Sequence, residues 1–482
     1  MLIRQTFLYL PAQLLGPLVQ FATIIAWTHW LPPTDYGVLT LVVAAQELVF
    51  LGTVFWWTHY TMRYLGTFTA TVDQGRFQAT DKCVLAGSVV LQTVAAFGVA
   101  LIIDHATLRW DFIVTSVAFV VTRSILIHLI DRARAEGRIV PYTIAKIGSA
   151  VLGFLLGYAG VLWIAPTATA VLGGLALAQT FALSVLWVQL KIGHTVQIDQ
   201  FDFAILRSAA AYGLPLLASG VVGWIGINGL RPLIDWAAGT EALGMLAVGW
   251  GMGQSLVSVV AMMVTTAAYP LAVKHMTAGH PDRSIEQLAV NGALLFSVLM
   301  PSAVGALVLT RPLVELSIGA SFQETTRVVL PIAIVAATIR NLRAHFIDQI
   351  FMLMSRPQPL FIVNTVEAVF TIILVYIGLL MYGIIGAAYG CLFANIIGFL
   401  LSTVLGVSRL GLRLPIKTSL RIAVASIFMG YVLLIINVDA SVPDFIGGIV
   451  IGSTVYAIAL AVLFHSGIIH SLNSYRRTHL SI

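Results

Sequence analysis

Long apolar runs separated by short polar segments fill most of the chain. A helix needs about 20 apolar residues to cross a bilayer, whereas a transmembrane β-barrel shows alternating segments of about ten residues. The observed runs have the helical length, so the pattern predicts an all-α polytopic membrane protein with fourteen spans. The predicted helices α1 to α14 cover residues 6–30, 37–62, 82–103, 111–131, 142–163, 166–188, 208–228, 242–266, 286–309, 325–350, 359–380, 384–406, 418–436 and 445–465.

The segments between these helices are short. Residues 310–325 are too polar to span and are predicted to form an interfacial connector. No loop can fold as a soluble domain, which excludes glycosyltransferases with a cytoplasmic catalytic domain and disfavours polymerases and ligases with a large periplasmic loop. No G-x-x-x-x-G-K-[ST] motif occurs, so ATP hydrolysis through a P-loop is also excluded. The first apolar run is too long for a signal peptide and is expected to remain in the mature protein.

Composition agrees with a membrane protein, since 59% of the residues are hydrophobic and 10% are charged. The net charge of +6 could indicate nucleic acid, but most basic residues fall in loops and termini on one side of the predicted helices. Such a bias marks the cytoplasmic side. We therefore expect no nucleic acid partner, a bacterial cytoplasmic (inner) membrane and cytoplasmic termini. Cys83 and Cys391 lie in apolar runs, so neither a disulfide nor a metal site is expected, and no cofactor is implied.

Two parts of the chain repeat each other. "YLPAQLLG" in α1 resembles "GLPLLASG" in α7, which aligns Pro11 with Pro215. "DYGVLTLVVAAQELV" in α2 resembles "ALGMLAVGWGMGQSLV" in α8, which aligns Gly37 with Gly244. The common order of these matches predicts an internal duplication.

The repeat unit contains six helices. Because six is even, both copies enter the membrane from the same side and the repeats are parallel. Two such lobes are expected to enclose a central cleft and to move against each other. The predicted division is an N-lobe at 1–188, a cytoplasmic linker at 189–207, a C-lobe at 208–406, and the appended helices α13 and α14 with a cytoplasmic tail at 407–482.

The first sixty residues and the segment between α7 and α8 resemble a known family. Leu31–Gly37 reads "LPPTDYG", similar to the L-G-P-x-x-Y-G of polysaccharide-export flippases in the multidrug/oligosaccharidyl-lipid/polysaccharide superfamily, with Pro32 at the usual Gly. "LIDWAAGTEALGMLAVG" resembles the matching segment of the second repeat, with Met245 at a usual Tyr. The resemblance implies transfer of an undecaprenyl-diphosphate-linked oligosaccharide to the outer leaflet. Implied partners are this glycolipid, membrane lipids, and the polysaccharide polymerase and export machinery.

Charged residues inside apolar runs are the candidate site residues. "RSILIHLID" (Arg123–Asp131) and "RNLRAHFID" (Arg340–Asp348) carry Arg, His and Asp at the same spacing. An Arg eight residues from the Asp lies roughly 12 Å deeper and on the same face. Such an arginine either grips a phosphate in a cleft or snorkels to the head groups as an anchor. The predicted substrate-binding residues are Arg123, Arg340, Arg343 and Lys146, and the predicted coupling or charge-pairing residues are Glu47, Asp131, Asp348 and Glu367.

Other functions remain open at this point. A cation-coupled multidrug exporter of the same superfamily usually carries an acid in α1 or α7, and both helices lack one. A lipid-linked peptidoglycan precursor flippase would also need a cationic cleft. An integral-membrane enzyme would need a clustered acid–base set, for which His128 with Asp131 is the nearest candidate. The recurrence of this pattern in both repeats favours a role in architecture, and His128 and His345 are interpreted as polar interface contacts.

Overall fold

Polar caps and glycine set the ends of several helices. Asp202, Thr167 and Ser441 each accept a hydrogen bond from a backbone N–H in the first turn of the helix that follows. Such side chains satisfy N–H groups that have no partner inside the helix. Gly411 ends another helix in the left-handed conformation, with φ at 67°, where the absence of a Cβ removes the steric penalty.

The computed structural model describes residue 19 and residues 21–68, 71–104, 107–190 and 200–465. Within these ranges every regular element is helical. The helices are 21–30 (α1), Pro33–Thr67 (α2), Thr71–Ile103 (α3), Trp110–Ala135 (α4), Ile139–Trp163 (α5), Ala168–Gln189 (α6), Phe203–Asn228 (α7), Thr240–Thr277 (α8), Pro281–Val308 (α9), Ala320–Leu353 (α10), Gln358–Leu410 (α11 and α12), Ile416–Ile436 (α13) and Val442–Leu463 (α14).

In the described ranges, twelve helices are long and apolar enough to cross a membrane. One of them, Gln358–Leu410, has 53 residues and loses helical geometry at Tyr382 and Gly383. This break separates the predicted α11 from α12. The beginning of the predicted α1 lies outside the described residues. The prediction of a polytopic all-α membrane protein is confirmed.

Several helices extend beyond their apolar runs. α3 begins at Thr71 and α8 continues to Thr277, because polar turns prolong a helix past the apolar residues that predicted it. Residues 310–325 contain a short helix, Thr310–Ser317, and the start of α10 at Ala320. A second short helix, Leu230–Ala238, follows α7.

Two helices contain a π-helical turn. α2 has one at Leu51–Phe55 and α10 has one at Arg343–Ile347. A π turn adds one residue to the helical repeat and rotates the residues that follow it, and such turns are frequent at functional sites.

The chain divides into two compact units. One contains residues 1–247 and 364–387, and the other contains residues 248–363 and 388–482. In the first unit, Trp57, Leu129 and Leu186 are fully buried in one apolar cluster. In the second unit, Phe322 and Phe351 are fully buried. The lobe boundaries drawn from the repeat stay a prediction.

The two glycines matched by the repeat meet each other within the first unit. A Cβ on Gly37 would lie 2.1 Å from the backbone oxygen of Thr240, and a Cβ on Gly244 would lie 1.9 Å from the backbone oxygen of Pro33. Because both positions lack a Cβ, the first turn of α2 and the first turn of α8 can lie against each other. A reciprocal contact between equivalent positions is what a two-fold relationship produces.

Replacing either glycine by alanine tests this contact. We expect Gly37→Ala and Gly244→Ala to destabilise the protein by about 1–3 kcal/mol, because the added methyl group overlaps a backbone carbonyl. Thermal unfolding in detergent micelles measures the effect. Gly98→Ala is the control, because nothing lies within 4 Å of a Cβ there. An unfolding temperature for Gly244→Ala equal to that of the wild type would contradict the close approach.

Candidate substrate-binding site

Arg123 lies at the middle of α4. The helix has 26 residues, and at about 1.5 Å per residue each end is roughly 20 Å away. The guanidinium carbon lies 5.6 Å from the centre of the Phe119 ring. The Nε atom is buried and, within the described ranges, has no hydrogen-bond partner. α4 thus carries, at its middle, a cation with a buried nitrogen that lacks a partner, and such nitrogens are rare in folded proteins.

Glu47 is the acidic neighbour of this arginine. It lies on α2, four residues before the π turn that begins at Leu51, and its side chain is half-buried. Asn228, at the end of α7, donates a 2.7 Å hydrogen bond to its Oε2. The carboxylate also interacts electrostatically with the guanidinium groups of Arg123 and Arg231. Four helical segments of the first unit, α2, α4, α7 and the short helix after α7, therefore contribute to this group.

Arg231 belongs to this group, although its position between α7 and α8 made it part of a loop in the sequence prediction. Its Nη1 donates a 3.4 Å hydrogen bond to the backbone oxygen of Thr40 on α2. Burial lowers the pKa of the Arg231 guanidinium, and the charge of Glu47 acts in the opposite direction. The structure thus places a second partly buried cation beside the same carboxylate.

Lys146 and Asp131 lie elsewhere in the first unit. Lys146 donates a 3.1 Å hydrogen bond to the hydroxyl of Tyr142 and lies 5.4 Å from the centre of that ring. Asp131 is half-buried and interacts electrostatically with Arg134, His128, His59 and Lys146. Lys146 therefore combines an aromatic contact with the field of a nearby carboxylate.

The second Arg–His–Asp copy differs from the first. In α4 the pattern lies on a continuous helix, whereas in α10 it crosses the π turn Arg343–Ile347. Arg343 Nε lies 3.2 Å from Asp348 Oδ2, and Ser402 donates a 2.5 Å hydrogen bond to Oδ1. The π turn brings residues five apart together, so Asp348 pairs with Arg343 within the second unit. Arg340 is half-buried on the same helix.

The predicted site residues belong to both units. Glu367, on α11, is buried with 7% of its surface exposed. The first unit contains Glu47, Arg123, Asp131, Lys146 and Glu367, and the second contains Arg340, Arg343 and Asp348. Within the first unit, Glu47 and Arg123 interact electrostatically, and a 3.1 Å hydrogen bond joins their chain neighbours Gln46 and Ser124.

The family follows from comparison with known proteins. A family model described as "Polysaccharide biosynthesis protein" matches residues 82–327, which is just over half of the 482 residues. The chain belongs to this family. No curated protein sequence matches it.

Several solved structures have a fold similar to that of this chain. The lipid II flippase MurJ in an inward closed conformation superposes with a TM-score of 0.73 at 14% identity, over 96% of this chain and 100% of that one. An inward-facing multidrug resistance MATE family transporter of the MOP superfamily gives 0.61 at 15% identity, over 82% and 94%. The MATE multidrug transporter DinF-BH gives 0.54 at 13% identity, over 84% and 94%. The fold of the chain is therefore similar to the folds of this flippase and these two transporters.

The first unit also contains a buried charge network that the sequence did not predict. Asp81, fully buried on α3, accepts a 2.6 Å hydrogen bond from the indole of Trp57 and is ion-paired with Arg132. His128 Nε2 lies 3.3 Å from its Oδ1, and His128 Nδ1 lies 3.0 Å from the hydroxyl of Thr58. The network joins α2, α3 and α4.

Asp81 was missed because the apolar run that predicted α3 starts one residue after it. Its signal in the sequence is weak, since an aspartate at the edge of an apolar run usually lies at the membrane surface. Arg132 was interpreted only as a cytoplasmic charge. Arg132 Nε also lies 3.0 Å from Glu136 Oε1. The charges of this network are therefore paired with one another, and its role is structural.

Removing Asp81 is therefore expected to destabilise the fold. Asp81→Ala leaves Arg132 and His128 buried without the carboxylate, and breaking a buried ion pair costs about 3–5 kcal/mol. The thermal unfolding temperature of the purified protein and its yield from membranes measure the effect. Glu324→Ala, at an exposed position, is the control and is expected to change stability by less than about 0.5 kcal/mol. Equal stability of both variants would contradict a structural role for the network.

Proposed function

We propose that the protein is a flippase that moves an undecaprenyl-diphosphate-linked oligosaccharide from the inner to the outer leaflet of the bacterial cytoplasmic membrane by alternating access. The glycan then serves surface or extracellular polysaccharide synthesis. The family match and the MOP-type fold support transport of a lipid-linked substrate rather than catalysis. The bias of basic residues supports cytoplasmic termini.

The observation that carries this proposal is the position of Arg123. A diphosphate head group is anionic and has to leave water to cross the membrane, so it needs a cation at depth. An anchor that snorkels to the head groups must lie near a helix end, whereas Arg123 lies in the middle of α4. A guanidinium offers five N–H donors in a fixed plane and binds phosphate oxygens bidentately.

The other predicted cations have different surroundings. Arg343 is paired with Asp348, and Lys146 contacts Tyr142. We propose that these residues, with Arg340, contribute positive charge to substrate binding, while Arg123 makes the principal phosphate contact. Asp131, Asp348 and Glu367 are assigned to charge pairing.

Two alternatives have the same fold. A lipid-linked peptidoglycan precursor also carries a lipid diphosphate, so Arg123 suits it equally, and only the identity of the accumulated lipid separates the two substrates. A multidrug exporter for cationic drugs is disfavoured, because Arg123 would repel such a drug and α7 contains no acidic residue.

Deleting the gene tests the proposal. Lipid-linked oligosaccharide is expected to accumulate in the inner leaflet, as measured with a membrane-impermeant probe on intact cells. The wild-type gene should restore outward transfer, and Arg123→Ala combined with Arg340→Ala should not. Hydrogen bonds to charged groups contribute about 1.5–3 kcal/mol, so Arg123→Ala alone should reduce transfer about ten- to hundredfold. Arg123→Lys should restore part of it, since one cation remains.

Arg311→Ala is the matched control, because Arg311 is exposed and pairs with Glu315. If the variant with both Arg123→Ala and Arg340→Ala were fully active, the two arginines would be interpreted as interfacial anchors. Accumulation of peptidoglycan precursor would identify the other lipid substrate. An unchanged leaflet distribution together with new drug sensitivity would refute the flippase and indicate an exporter.

A further inference from the structure

Two cations and one carboxylate from separate segments form the charged group of the first unit. Glu47 comes from α2, Arg123 from α4, and Arg231 from the short helix after α7. The carboxylate interacts electrostatically with both guanidinium groups. Among the described contacts, neither arginine forms an ion pair with it. Two guanidinium groups and one carboxylate give the group a formal net positive charge, and partly buried charges attract an anion more strongly than fully solvated charges do.

Glu47 also takes part in a row of contacts that join α2 to α7 and to the short helix after α7. Trp224 donates a 3.0 Å hydrogen bond to the backbone oxygen of Ala44, Asn228 donates to Glu47 at 2.7 Å, and Arg231 donates to the backbone oxygen of Thr40 at 3.4 Å. Residues 40, 44 and 47 share one face of α2, and residues 224, 228 and 231 have the same spacing. Two contacts in this row use a charged side chain, since Asn228 donates to the Glu47 carboxylate and the Arg231 guanidinium donates to Thr40.

α7 packs closely on α2 near its middle, where a Cβ on Gly213 would lie 2.5 Å from the backbone oxygen of Trp56. Only 6% of the residues in its apolar window are buried, and it contains Pro215 in its interior. A proline removes a helical hydrogen bond and kinks the helix. The hydrogen bond from Asn228 to Glu47 adds a contact at the C-terminal end of α7, beyond this close approach to α2.

We propose that Glu47 competes with the diphosphate of the substrate for Arg123 and Arg231, and that diphosphate binding breaks the Glu47–Asn228 contact and frees the end of α7 from α2. Arg231 is then a second phosphate-binding residue; its contact with Thr40 uses one of five N–H donors. Two anions beside the same guanidinium groups repel each other, so the ligand favours the state in which Glu47 has moved away. This inference rests on the proposed function, since it assigns a diphosphate to the site.

Glu47→Gln separates the charge from the hydrogen bond. The glutamine carbonyl can still accept from Asn228, while the negative charge is lost. Binding of inorganic pyrophosphate to the full-length protein in lipid nanodiscs, at constant ionic strength, measures the competition. Removing one negative charge beside two cations should tighten binding on the order of tenfold. Glu315→Gln, whose carboxylate pairs with Arg311 and Arg327, is the matched control and should bind as the wild type does.

Two further variants test the remaining parts of the proposal. Arg231→Gln should weaken pyrophosphate binding about tenfold in the Glu47→Gln background. Asn228→Leu keeps the charge and removes the hydrogen bond, so hydrogen exchange at the end of α7 should become faster without ligand. In the wild type, pyrophosphate should produce a similar increase.

The inference would be overturned if Glu47→Gln bound pyrophosphate as tightly as the wild type or more weakly. It would also be overturned if Arg231→Gln left pyrophosphate binding unchanged in the Glu47→Gln background. Slower exchange of α7 on adding pyrophosphate would overturn the release of the helix. These results do not depend on the leaflet assay. A deletion strain with normal glycolipid distribution would refute the flippase function even if Glu47→Gln bound pyrophosphate more tightly.

Discussion

A charge inside the hydrocarbon layer has to be neutralised by the protein or by a ligand, and this constraint sorts the buried ionic groups of the structure. Asp81 is surrounded by Arg132, His128 and Trp57, so its charge is compensated where three helices meet. Arg343 is compensated by Asp348 at a π turn. The group around Glu47 is different, because two arginines share one carboxylate. Ion pairing compensates the first two groups, whereas the positive charge in excess around Glu47 is the feature on which the proposed anion binding rests.

Gene duplication explains the regular parts of this arrangement, and divergence explains the rest. Gly37 and Gly244 still occupy equivalent positions and make a reciprocal backbone contact. The Arg–His–Asp patterns kept their spacing but lost equivalence, since one lies on a continuous helix and the other crosses a π turn. In the first copy the histidine contacts Asp81, and in the second the aspartate pairs with an additional arginine. Repeated sequence thus predicted repeated architecture, but the chemistry of the two copies became different.

The sequence predicted the helices well because burial in a membrane requires long apolar runs, which are visible without any partner information. It underestimated α3 and α8, whose polar ends continue the helix outside those runs. The depth of Arg123 in the membrane stays a prediction, and the hydrogen bond from Asn228 to Glu47 and the position of Arg231 depend on tertiary packing that no spacing reveals. The π turns and the burial of Asp81 were missed for the same reason. The pattern of apolar residues along the chain therefore predicted the fold. The tertiary contacts were needed to identify the charges that lack a close partner.

The most direct test of the account is transfer of a purified undecaprenyl-diphosphate oligosaccharide across vesicles that contain only this protein. An impermeant glycan-oxidising reagent reports the fraction in the outer leaflet over time. The account predicts rapid exposure with the wild-type protein and at least about tenfold slower exposure with Arg123→Gln, because that substitution removes the cation at the centre of α4 and retains a polar side chain. Equal rates for the two proteins would contradict the central role of Arg123 in binding the diphosphate.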